Sequence, residues 1–110
     1  MSQKHGQSNE FVITHDMATQ LTAHEFKAAP GTGLAIYITD IEFYMGGTQR
    51  LLTLLSATDI VYAVAPAANG QASAHFNVPL KLTSNTALNA TTAGASTAAY
   101  IVITGFVARG

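Results

Sequence analysis

From residue 10 onward, short apolar runs alternate with small clusters of Gly, Pro, Asn, Asp and Ser. The two longest runs are LAIYITDIEFYM at 34–45 and TAAYIVITGFVA at 97–108, and neither contains proline. Their β-branched and aromatic content suits pleated strands. The pattern predicts strands at 11–15, 21–29, from 34 onward, 59–65, 72–78, 87–91 and 98–108. RLLTLLS at 50–56 has leucines that fit a helical turn as well as a strand; its short length between β-like runs favours strand. Turns are predicted at 16–18, 30–33, 45–48, 66–70, 83–85 and 92–96. Pro30-Gly31-Thr32-Gly33 and Asn69-Gly70 carry the strongest turn chemistry. About eight strands with turn signals every 8–12 residues predict an all-β, antiparallel, jelly-roll-like β-sandwich.

Parity adds detail. Ile36 and Ile38 share one face, whereas Ile41 and Phe43 have the opposite parity. A bulge at Thr39-Asp40 lets both halves point at one core. A strand buried on both faces is the rival reading, but it would also bury Asp40 and Glu42. In 72–78, Ala72, Ala74, Phe76 and Val78 form the buried parity; Ser73, His75 and Asn77 form the wet one. Gly105, inside the last strand, suits a bulge or a close backbone approach.

The first ten residues, MSQKHGQSNE, are polar. They read as a flexible arm (1–10) preceding a single domain at 11–110, with Ser2, Gln3, Lys4, His5, Gln7 and Asn9 as arm residues able to order on a neighbour. The arm lacks the apolar stretch of a secretory signal, so synthesis in the cytoplasm is expected.

Only 10% of the 110 residues are charged while 48% are hydrophobic. Soluble domains average about 25% charged. A surface of neutral Ala, Thr, Ser and Gly is therefore expected, and such a surface favours coverage by partners over solitude. The formal net charge of −1 and five scattered basic residues argue against nucleic-acid binding. No run approaches the roughly 18 apolar residues of a membrane helix. With no cysteine there is no disulfide and no thiol nucleophile.

Candidate chemistry is sparse. His5, His15, His24 and His75 show no close pair of the zinc or His-x-His kind, so surface or interface histidine is preferred over metal ligand. Gly31-Thr32-Gly33 opens a strand, unlike a phosphate loop, which opens a helix. Ser56, Ser73, Ser84 and Ser96 lack a neighbouring His and acid. Asp40 and Glu42 form a possible carboxylate pair, for which a solvated or interface face is the preferred reading. Asn89-Ala90-Thr91 matches a glycosylation sequon but has no secretory context. No catalytic, cofactor-binding or metal residue is expected, and the chain is read as a non-enzyme. Its candidate interface residues are Phe43, Tyr44, Tyr62, Tyr100 and Phe106, each with ordinary core packing as its alternative.

As a set, Ala28-Ala29-Pro30-Gly31, the long strand ending Phe43-Tyr44, Leu52-Thr53-Leu54-Leu55-Ser56, Ala68-Asn69-Gly70, Pro79-Leu80, Thr86-Ala87-Leu88-Asn89 and Tyr100 to Phe106 resemble small jelly-roll virion proteins of tailed bacteriophages. Capsid decoration (cement) and tail-accessory proteins belong to that group. The resemblance covers roughly residues 26–108 and rests on a β pattern with turn residues. It implies a homotrimer on the capsid surface, the major capsid protein as partner, and no cofactor. The rival expectation is a tail-associated or lectin-like trimer that recognises a host surface. A cupin-type metalloenzyme is the weakest alternative.

Overall fold

The computed structural model describes residues 9–17, 23–47, 51–67, 69–92 and 98–110. Eight strands run in order: β1 (Glu10–Asp16), β2 (His24–Lys27), β3 (Leu34–Gly46), β4 (Leu52–Ser56), β5 (Asp59–Val64), β6 (Gly70–Lys81), β7 (Leu88–Thr92) and β8 (Ala98–Arg109). They form two four-stranded antiparallel sheets, ordered β1-β8-β3-β6 and β2-β7-β4-β5. The predicted all-β sandwich is present. The pairs β1·β8, β2·β7, β3·β6 and β4·β5 nest one inside the next, so the chain behaves as one long hairpin folded over itself.

One apolar core lies between the sheets. Ile36, Ile38, Ile41, Phe43 and Met45 enter it from β3, Ile101 and Ile103 from β8, Leu52 and Leu54 from β4, and Leu88 from β7. The register of β3 shifts between Ile38 and Asp40 against both neighbours. Thr39 is the extra residue opposite β8, and the parity change it causes turns Ile38 and Ile41 to the same side. The bulge expected at Thr39-Asp40 is therefore the device that lets one strand feed one core along its full length. Gly105 pairs with Ile38 beside it, and a Cβ there would collide with the Tyr37 carbonyl oxygen. The expected close backbone approach is at this position.

Several element boundaries differ from expectation. β3 runs on to Gly46, because Met45 and Gly46 find partners in Ala99 and Ala98 of β8; the loop expected at 45–48 begins later, and Thr48 lies outside the described residues. β2 is shorter than 21–29; Leu21 and Thr22 lie outside the described residues, and Ala28 and Ala29 leave the strand. β7 extends to Thr92 instead of stopping at 91, opposite Leu52 of β4. β6 continues past 78 through Pro79 to Lys81, with residues 76–79 facing the single Thr39 across the register break. Its edge position tolerates a proline that donates no ladder bond. The break also ends the alternation, so Val78, expected on the buried parity, is 84% exposed.

Candidate functional site: the outer face of the β1-β8-β3-β6 sheet

The four strands of this sheet align their outward residues in rows. One row reads Asp16, Tyr100, Tyr44, Gln71 across β1, β8, β3 and β6. The next reads Thr14, Val102, Glu42, Ser73, and the third Val12, Thr104, Asp40, His75. Beyond the bulge comes Glu10, Phe106, Tyr37, Lys81. The alternation that buries Ile41, Phe43 and Met45 necessarily presents Glu42 and Tyr44 on this side.

Tyr44 and Tyr100 are cross-strand partners on the two central strands, 42% and 48% exposed. Val12, 68% exposed, adds apolar surface two rows away. A shallow depression of about 290 Å³ lies at the tyrosine pair, lined also by Glu42, Gln71 and Val102. Phe106 stacks on Tyr37 with ring centroids 5.0 Å apart, and the Tyr37 hydroxyl donates to the Arg109 carbonyl. Glu10, Asp16, Asp40 and Glu42 against Lys81 give the face an acidic balance. Asp40 Oδ1 lies 2.7 Å from His75 Nδ1. That bond, then a second from Thr39, holds the Asp40 carboxyl below its ordinary range.

The five predicted interface residues separate by position. Tyr44 and Tyr100 meet on this face, and Phe106 lies half-buried in its last row. Phe43 is a correction: it is wholly buried in the core, because the bulge aims its parity inward. Tyr62 is half-buried elsewhere, edge-on to Phe76 between β5 and β6, with centroids 5.5 Å apart. Of the arm residues, Ser2, Gln3, Lys4, His5 and Gln7 lie outside the described residues. Asn9 is exposed and lines a second depression of about 390 Å³ with Glu10, Lys27, Pro30, Leu34 and Val107. Val12 and Tyr37 were missed. The alternation of FVITH marks Val12 as outward, whereas Tyr37 reaches this face only through the bulge.

The serine question has a local answer at Ser56. Its buried hydroxyl lies 2.7 Å from Thr86 Oγ1 and accepts the Thr83 N–H at 3.0 Å, tying the 83–86 turn to β4. Among the described residues, no three His, Cys, Asp or Glu side chains are grouped to hold a metal ion, and no helix is long and apolar enough to cross a membrane.

No family model matches the chain, and no curated protein matches it. Among solved structures, the coat protein dimer of Tobacco streak virus is similar at 16% identity and a TM-score of 0.42, over 94% of this chain and 89% of that one.

Proposed function

We propose that this chain is a structural virion protein, a trimeric decoration (cement) protein that binds a phage capsid and stabilises it by covering surface. The observation that carries the reading is the Tyr44–Tyr100 pair with Val12, exposed on the rigid centre and edge of a sheet instead of on loops. Aromatic surface presented this way is typical of contact patches. The nested strand order supports a jelly roll, an architecture shared by capsid proteins, lectins and cupins. Because one architecture hosts several functions, the face and not the fold carries the assignment.

Size shows what else is needed. Four strands about 4.8 Å apart and seven residues long present about 20 by 23 Å, on the order of 450 Å². A standard interface buries about 800 Å² per partner. The face supplies about half, which leaves a role for the arm preceding Asn9. In a trimer three arms act together, so weak contacts gain avidity. The chain is read as carrying no catalytic activity.

Sedimentation equilibrium at micromolar concentration tests the assembly. A trimer that dissociates on Tyr44→Ser plus Tyr100→Ser is expected; a monomer at all concentrations refutes the oligomer. Removing residues 1–8 should weaken binding to purified capsids and leave thermal melting unchanged. Undiminished binding would remove the arm from the mechanism.

One observation favours a second reading. Glu42 and Gln71 flank the exposed tyrosines with groups that hydrogen-bond to hydroxyls, the pairing a sugar-binding surface uses. A lectin-like tail module predicts hits on a glycan array that vanish with Tyr100→Ser; the decoration reading predicts none.

A further inference from the structure

Among the described residues, side chains bridge one flank of the sandwich. β1 and β2 are edge strands of different sheets and share no ladder. His15, near the end of β1, stacks on His24, the first residue of β2: the ring centroids are 3.7 Å apart and the planes differ by 2°. Phe26 meets both rings edge-on, at 5.7 Å from His15 and 5.1 Å from His24. At the other end of the flank, Lys27 Nζ lies 4.9 Å from the Phe11 ring centroid.

We propose that the His15–His24 stack is a proton-controlled latch on this flank, closed while at least one ring is neutral and opened when both are charged. Two neutral imidazoles stack as flat apolar rings, and one imidazolium on a neutral ring is attracted to its π face. Two imidazoliums at this separation repel at close range. The surroundings set the pH at which this happens. Asp16, next to His15, lies on the outward parity of β1; Glu25, next to His24, favours His24 protonation. Burial opposes it, followed by the charge of His15, and the net effect on His24 is a lowered pKa. Lys27, on β2, adds positive charge. The register partners on β8 and β7, Ile101 and Ala90, are apolar.

Opening the latch separates the edges of the two sheets and lets β1 and β2 fray from β8 and β7, the strands they pair with. It would uncover Phe26 and Ile13 while the central strands stay paired. Acid would therefore loosen one flank before it unfolds the protein. This holds whatever the protein assembles with.

Amide hydrogen exchange of the full chain at about pH 7.5 and about pH 5, expressed as protection factors, tests the latch. Expected is a loss of protection of about tenfold or more in β1 and β2 at the lower pH, with β3 and β4 unchanged. His24→Phe keeps a flat aromatic partner and removes the second charge, so it should abolish that loss. His75→Gln should not. Equal loss in the His24→Phe protein, or no loss in the parent, overturns the proposal. Should His24→Phe fail to fold, the proton titration of the two rings by NMR decides. Two well-separated steps support a coupled pair, and two independent titrations at the ordinary histidine value refute it.

Discussion

Single residues carry the sharpest physical demands in this protein. Ala57 joins the paired Ser56 and Asp59 at a φ of 57°. A left-handed conformation costs a residue with a Cβ about 1–2 kcal/mol. Ala57→Gly should therefore raise stability by about 0.5 kcal/mol, after the greater freedom of the unfolded glycine is subtracted, in urea denaturation. Gly105 has the opposite character: its strand has no room for a side chain against the Tyr37 carbonyl and the Phe11 ring. Gly105→Ala should cost about 2 kcal/mol or more in the same measurement. The pH dependence divides between two groups. His24 is lowered from 6.5 by burial and then by His15. The unfolded chain then takes the proton more readily, so this contribution is complete above about 6.5 and is lost as pH falls from there through the lowered folded-state value. Asp40 is lowered from 3.8 by its hydrogen bond to His75, so its contribution persists to lower pH and is lost only in the carboxylate range. Melting temperature should fall between about pH 7.5 and 5, and Asp40→Asn should lower it slightly above about pH 4, with the difference from the parent vanishing at lower pH.

At the scale of the element, β3 is decisive because both of its sides are paired and both of its faces are used. Adjacent residues in it have opposite fates. Phe43→Ala empties a fully buried site and should cost about 3–5 kcal/mol. Tyr44→Ser removes a half-exposed side chain and should cost about 1 kcal/mol or less in stability, measured by urea denaturation, while it weakens self-association in sedimentation. The bulge that assigns these fates was legible, because Ile36–Ile38 and Ile41–Phe43 cannot share a core without one. The end of β3 at Gly46 was not legible: Met45-Gly46-Gly47 reads locally as a loop, but Met45 pairs with Gly70 of β6 and Ala99 of β8, and Gly46 with Ala98 of β8. Val78 shows the same limit. Alternation within β6 marks it for burial, but the register break opposite Thr39 turns it to solvent.

For the whole molecule, the low charge has a measurable consequence. Association through tyrosines and valine on a nearly neutral chain should change little between about 50 and 500 mM salt, because there is little long-range charge to screen. A steep salt dependence in sedimentation would point instead to the acidic residues of the outer face. The sequence by itself determined the strand count among the described residues, the turns at 30–33 and 83–85, most of the inward and outward sets of the long strands and the scarcity of reactive side chains. Those follow from local rules: period-two alternation, β-branched content, and turn residues that tolerate unusual φ. Only the tertiary structure decided which strands are neighbours, and therefore that Tyr44 meets Tyr100 and that His15 meets His24. These partners are far apart in the chain or belong to different sheets. Their meeting is set by how the long hairpin rolls to bury its apolar face, a collective choice that no local pattern encodes.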